Sequence, residues 1–254
     1  MPKCLLVDAG NSRIKWNVYD TVTQQYTLPP QGVNWRDADI AAILQDQWQG
    51  LNDIHTVMTA SVAGQAIQEA IQHYTQTHWG VQARRITTAT QAFGVHNAYK
   101  IPEQLGVDRW LAVLAARQLY PTQNVCVVDC GTAISVDTVT KEGQHLGGLI
   151  VPGPYLMKTA LFQQTHGVKI SHHDVGLSPF TDSTTAGVNH GVLLAAVAFV
   201  DRAVADIEQQ LGEGLVKIIS GGDAPLIATH SRHTLQQQPE IVLKGLALYA
   251  DENK

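Results

Sequence analysis

Two short segments of this chain carry side chains suited to chemistry at a phosphate. Asp8-Ala9-Gly10-Asn11-Ser12 follows the apolar run Cys4-Leu5-Leu6-Val7. Gly10 lets the backbone approach a ligand closely, and Asn11, Ser12 and the local N–H groups can donate to phosphoryl oxygens. Asp8 would repel a bare phosphate, so its chemical role there is as a magnesium partner, direct or through water. Lys15 could balance the remaining charge. A hairpin closed by an Asx turn is the purely structural alternative. The pattern returns 121 positions later, where Asp129-Cys130-Gly131-Thr132-Ala133 follows Val125-Cys126-Val127-Val128. An isolated Asp-x-Gly is a common turn. A strand, a DxG turn and an alternating strand, repeated at half the chain length, point to nucleotide binding by two similar halves.

A second segment, Leu105-Gly106-Val107-Asp108-Arg109-Trp110, admits two readings. Asp108 caps a helix and Arg109 lies on its surface, or Asp108 is a general base for a substrate hydroxyl and Arg109 a fork-shaped partner for a carboxylate. The residue types alone leave both open. Gly147-Gly148-Leu149-Ile150-Val151-Pro152-Gly153-Pro154 brackets a three-residue apolar strand. It fits a turn at a sheet edge, with close approach of backbone to a ligand as the other use of such glycines.

The elements that would hold these segments follow an α/β plan. Beyond the first turn Ile14, Trp16 and Val18 alternate with polar residues, and Ile134, Val136 and Thr138 do so beyond the second, as in half-buried strands. Helical spacing recurs at Ile40, Ile43, Leu44 and Trp48, and at Ile67, Ala70, Ile71 and Tyr74. Further helices are expected from Asp108 and over about 187–211. A buried strand at 215–219 should lead through Ser220-Gly221-Gly222-Asp223-Ala224-Pro225 into another helix. Strands first and helices after, twice over, predict two domains of 1–118 and 119–254, meeting near 116–122 where Tyr120-Pro121 breaks the helix.

Composition narrows the classes of function. Lys and Arg number 17 against 22 Asp and Glu, a net charge of −5, which offers no electrostatic footprint for nucleic acid. Lys3 is followed by only four apolar residues before Asp8, and the apolar stretch near 191–200 ends at Asp201, so neither a signal segment nor a membrane span is expected. A cytoplasmic location is the expectation. Three cysteines are too few for a disulfide framework, and Cys126 and Cys130 fit as packing residues. His172-His173-Asp174 lacks a second ligand cluster at metal-site spacing, so a solvated loop is the simpler reading. Trp35, Trp48 and Trp79 are expected as lids on helix faces.

The ordered set DAGNSRIK (8–15), SVAG (61–64), AYKIPEQLGVDRW (98–110), DCGTA (129–133), GGLIVPG (147–153), STTAGVNHG (183–191) and SGGDAP (220–225) resembles type III pantothenate kinase. The resemblance runs from residue 5 to about 225, and its most specific part is GVDR together with the duplicated DxG. It implies the acetate/sugar kinase, Hsp70 and actin superfamily: two actin-like, ribonuclease-H-like α/β domains with an interdomain active-site cleft. It implies ATP binding, with magnesium, by Asp8, Ala9, Gly10, Asn11, Ser12, Arg13, Ile14 and Lys15, with Thr132 on the phosphates. It implies a pantothenate site from Tyr99, Gly106, Val107, Asp108, Arg109 and Thr184, with Asp108 as proton acceptor. Asp129 would hold a monovalent cation, potassium or ammonium, and the protein would be a homodimer. Ser183-Thr184 stands where the family usually has Asn-Thr. The family also includes proteins described as Bvg accessory factors. Alternatives to phosphorylation of pantothenate are therefore a non-catalytic nucleotide-sensing regulator and a kinase of another small hydroxy acid.

Overall fold

The first apolar run forms β1 (Lys3–Ala9), which turns back through three residues into β2 (Arg13–Asp20). The computed structural model containing these strands describes residues 3–36, 38–165 and 177–252. Two short strands, β3 (Gln25–Tyr26) and β4 (Gln31–Asn34), lie antiparallel to β2. They are followed by α1 (Ile40–Trp48), β5 (Ile54–Ser61), α2 (Gln65–Trp79), β6 (Ala83–Arg85), a small hairpin of β7 (Gln91–Ala92) and β8 (Val95–His96), and α3 (Val107–Leu119). Asp39 caps α1 by accepting from the amides of Ala41 at 2.9 Å and Ala42 at 3.4 Å. Gly80 ends α2 in the left-handed region, at φ 67°. The main sheet has the order β3-β2-β1-β5-β6, with β1, β5 and β6 parallel.

The chain then builds a second sheet from β9 (Val125–Cys130), β10 (Ala133–Val139), β11 (His145–Pro152), β12 (Val216–Ser220) and β13 (Gln236–Gln237). Its helices are α4 (Pro154–Gln164), α5 (Thr184–Leu211) and α6 (Ala224–His230), and a last helix, α7, spans Ile241–Asp251. The order β11-β10-β9-β12-β13 repeats that of the first sheet, with the same antiparallel and parallel pairings. The predicted duplication is thus present strand by strand. The glycine-bracketed segment at 147–154 is mostly an eight-residue edge strand, β11, rather than a bare turn.

The chain divides into two compact units, Met1–Gln118 with Glu240–Lys254, and Leu119–Pro239. The strand and helix pattern predicts 240–254 as part of the second half. The structure places 240–252 with the first, because α7 packs its apolar face on β1. Gly245 lies so close to the Leu111 carbonyl of α3 that a Cβ there would collide with it. Asn17 donates to Glu240 at 3.3 Å, and Tyr19 and Gln24 donate to Asp251 at 2.9 and 3.1 Å. This cover also explains why β2 is buried from Trp16 to Asp20 instead of half-exposed as its alternation predicts. On the other face Leu5, Val7, Ala9, Ile14 and Trp16 pack with residues of α1 and α2. Trp48 is fully buried there, edge-on to Trp16 and Tyr74 and stacked on Trp79, so Trp48 belongs to the core rather than capping it, while Trp79 is partly buried against it.

In the second unit Cys126, Val128, Cys130, Ile134 and Val136 pack against Leu193, Ala196, Val197 and Val200 of α5. Burial pushes the Cys4 and Cys126 thiols up to about 12, as expected of packing residues. Among the described residues no helix is long and apolar enough to cross a membrane.

Candidate functional site

In the first unit the site is built where β1 and β5 end. Asp8 and Lys15 are directly opposed across β1 and β2. The three-residue turn between these strands is closed by Gly10 N–H donating to the Arg13 carbonyl at 3.0 Å. Asn11 and Arg13 are exposed, Ser12 is half-buried, and Arg13 also donates to the Gly32 carbonyl at 3.4 Å. Ala9 and Ile14 are fully buried, which leaves only their backbone to meet a ligand.

The Gly106–Arg109 segment comes to the same end of the sheet. Val62, just past β5, donates its N–H to the Ala9 carbonyl at 3.2 Å. A Cβ on Gly106 would lie 3.8 Å from the Val62 side chain and 2.6 Å from Asp108 Oδ1. Glycine at 106 therefore makes room for the Asp108 carboxylate to fold back over the helix start. Asp108 is in the first turn of α3 and does not cap it; its Oδ1 accepts the Arg109 N–H at 2.8 Å. Arg109 is only 9% exposed, contrary to the surface reading, and its Nη1 donates to the Tyr99 hydroxyl at 3.2 Å. Tyr99 is set by its own N–H bonding Asn97 Oδ1 at 2.9 Å, and Thr88 holds the Leu105 carbonyl at 2.7 Å. Tyr99, Gly106, Asp108 and Arg109 are thus gathered in one unit, with Val107 buried beneath them.

The second turn, Gly131-Thr132, is one residue shorter and much more closely packed. Gly131 N–H bonds the Ala133 carbonyl at 2.9 Å, Gly153 N–H the Thr132 carbonyl at 3.0 Å, and Asp223 N–H the Cys130 carbonyl at 3.0 Å. A Cβ on Gly153 would collide with the Gly131 carbonyl, and one on Gly221, at φ 98°, with the Cys130 backbone. These glycines, and Asp223 after β12, pack around the second turn; the sequence offers Gly153 as a turn residue or a point of close backbone approach, and Gly221 and Asp223 as parts of a turn and of SGGDAP. Burial holds the Asp223 carboxyl above its ordinary range, against an opposing pull from Lys158. Burial, with the Asp129 and Asp223 carboxylates nearby, raises the Cys130 thiol. Thr184 lies in this unit too, exposed at the first position of α5, which Ser183 caps by accepting the Ala186 N–H at 3.2 Å.

The two acids occupy equivalent places with different neighbours. Asp8 has Lys15 across one strand pair and Ala60 across the other. Asp129 has Ser135 and Ser220 at those positions. Ser220 is 2% exposed, and its Oγ has no hydrogen-bond partner among the described residues. A carboxylate between two hydroxyls, one of them buried and unpartnered, is a hard oxygen donor set that fits a monovalent cation where the first unit has an ammonium. Among the described residues no group of three or more His, Cys, Asp or Glu could hold a metal. His172, His173 and Asp174 lie outside the described residues.

Solved structures share this architecture. One is described as a Baf family transcriptional activator from Campylobacter jejuni (TM-score 0.57, 19% identity, 98% of each chain). Another is the activator of 2-hydroxyisocaproyl-CoA dehydratase from Clostridium difficile with bound ADPNP (TM-score 0.53, 11% identity, 99% of this chain and 95% of that one). The duplicated sheet with its two glycine turns defines an actin-like ATPase fold. A family model described as type III pantothenate kinase matches residues 4–206, and a type III pantothenate kinase of Nitrosococcus oceani is 38% identical over 252 residues, covering 98% of this chain and 94% of the relative. The chain belongs to the type III pantothenate kinase family and is a kinase.

Proposed function

We propose that this kinase transfers the γ-phosphoryl group of ATP to a hydroxyl of pantothenate, giving 4′-phosphopantothenate in the first step of coenzyme A synthesis. The observation that carries the reading is the Asp108 carboxylate, folded over Gly106 next to the buried Arg109 and its partner Tyr99, at the end of β1 and β5. The Asp8–Lys15 turn and Thr132 hold the triphosphate through backbone and side-chain donors. Bound magnesium supplies charge neutralisation on the phosphoryl oxygens. Arg109 pairs with the pantothenate carboxylate, and Thr184 contributes to the same substrate. An ordinary aspartate, with a pKa near 3.9, is too weak to ionise an alcohol in advance. A loose transition state removes that need, since the proton can pass to Asp108 late, as the γ-phosphoryl arrives. Asp129, with Ser135 and Ser220, holds potassium or ammonium.

A homodimer accompanies this reading. Support comes from β11, α4, α5 and the segment just before α5, where Leu149, Ile150, Phe162, Phe180 and Leu194 are all exposed, and β11 is a sheet edge. Apolar side chains along an open edge need cover. The deciding experiment is pantothenate-dependent ATP consumption, with and without potassium. Turnover with pantothenate is expected. ATP binding without turnover would favour a nucleotide-sensing regulator, and turnover only with another hydroxy acid would reassign the substrate.

A further inference from the structure

The strongest unassigned feature is the residue that follows β4. Trp35 touches the first phosphate turn twice: its indole Nε1 donates to the Gly10 carbonyl at 2.9 Å, and its backbone N–H donates to the Ser12 carbonyl at 3.2 Å. Next to it, Arg36 Nη2 donates to Ser12 Oγ at 2.5 Å. None of these contacts is local in sequence. They arise because β4 pairs with β2 in a register that sets Asn34 opposite Arg13 and delivers Trp35 beside the turn.

The second unit has the same arrangement in a different chemical form. There β11 pairs with β10 so that Pro152 stands opposite Ala133, and the next residue, Gly153, donates its N–H to the Thr132 carbonyl. Gly153 also presses against the Gly131 carbonyl, the counterpart of the Gly10 carbonyl. In both halves the residue after the strand that pairs with the turn's outgoing strand secures the carbonyls of the turn. Glycine does so in the second unit by direct approach of its backbone, and an indole N–H does so in the first.

We propose that Trp35 is a positioning residue for the nucleotide: it locks the Gly10–Asn11 peptide in the orientation that aims the Asn11 N–H at a phosphoryl oxygen. In a trans peptide the C=O and N–H point in opposite directions, and the described residues contain no cis bond. Holding the Gly10 carbonyl on the indole therefore directs the Asn11 N–H away from it. Without that bond the glycine peptide can rotate at little steric cost, and the donor is no longer prearranged. Arg36 adds a positive charge at the same turn. The inference rests on the Asp8–Lys15 turn being the ATP site.

The test is titration calorimetry with magnesium and the non-hydrolysable analogue AMPPNP, on Trp35→Phe, Gly10→Val and the unaltered protein, alongside melting temperature and the KM of each substrate. Trp35→Phe keeps an aromatic ring and loses the indole N–H. Loss of one hydrogen bond in the bound state should weaken AMPPNP about tenfold, and raise the ATP KM in proportion. The pantothenate KM should stay close to that of the unaltered protein, and the melting temperature should fall by only a few degrees, the size of one lost hydrogen bond. Unchanged AMPPNP affinity in Trp35→Phe, with affinity lost in Gly10→Val, overturns the role of Trp35 alone. Unchanged affinity in both variants overturns the placement of ATP at this turn. A measurement without substitution guards against a variant that fails to fold: the ¹⁵N-indole spectrum of the protein, which has five tryptophans. AMPPNP should shift the Trp35 resonance, and a spectrum with no shifted indole overturns the proposal.

Discussion

Asp108 and Arg109 are adjacent in the sequence, yet the structure gives them separate chemistry: a carboxylate folded back over Gly106, and a guanidinium buried against Tyr99. Asp108→Asn keeps an oxygen to accept the Arg109 N–H, so the melting temperature should hold. The single-turnover rate at saturating ATP and pantothenate should fall by at least ~10²-fold, the size of a lost proton acceptor. A normal rate in a normally stable variant would reduce Asp108 to a structural residue. Arg109→Lys keeps the charge and loses the planar fork. It should raise the pantothenate KM about tenfold and leave the ATP KM within about twofold; equal rises would assign Arg109 to the fold. Asp223 makes a pH-dependent case. Because burial raises its carboxyl in the folded state, the native protein binds more protons there than the unfolded chain, and the charged form is penalised above that raised value. Asp223→Asn should therefore have a higher urea midpoint than the unaltered protein at pH 8, a gap that narrows as the pH falls towards the ordinary value of 3.8. The residue types at 8–15 and 106–109 were legible from sequence because their chemistry is local. Trp35 was not, since it acquires its place from a neighbouring strand's register and carries no motif of its own, and Ser220, though part of SGGDAP, is set opposite Asp129 only by the pairing of β12 with β9.

At the scale of elements, the duplicated sheet shows how one backbone plan accommodates two charge arrangements. The position opposite the turn acid is Lys15 in one unit and Ser135 in the other, and the adjacent parallel strand offers Ala60 or Ser220. Since Ser220 Oγ has no partner among the described residues, Ser220→Ala should leave stability in sodium chloride unchanged. It should raise the potassium concentration for half-maximal activity severalfold and diminish the rise in melting temperature that potassium produces. Full activity of the unaltered enzyme in sodium alone would sink the cation assignment. The long elements were readable from their periods of 2 and 3.6. Strands of two to four residues, such as β3, β4, β6 and β13, are too short to show a period. The alternation of β2 misled, because a helix more than two hundred residues away covers its outer face.

For the whole molecule, Ile150→Glu places a charge on the exposed edge strand, where Ile150 is 58% exposed, so it costs the isolated chain little. Sedimentation should show a dimer becoming a monomer; an unchanged dimer would locate the interface elsewhere. The return of α7 to the first unit has a consequence for how the protein is made. Residues 119–239 are contiguous, so the second unit has its whole sequence in hand as soon as Pro239 is added. The first unit begins earlier and waits for 240–252. At a synthesis rate of about 5–20 residues per second, that wait lasts roughly 7–27 s. Throughout it the nascent β1 lacks the helix that covers one of its faces, and Gly245 has not yet reached α3. The half of the protein translated first is thus the half completed last, and a released chain ending at 239 should expose this region to proteases or chaperones while residues 119–239 are protected.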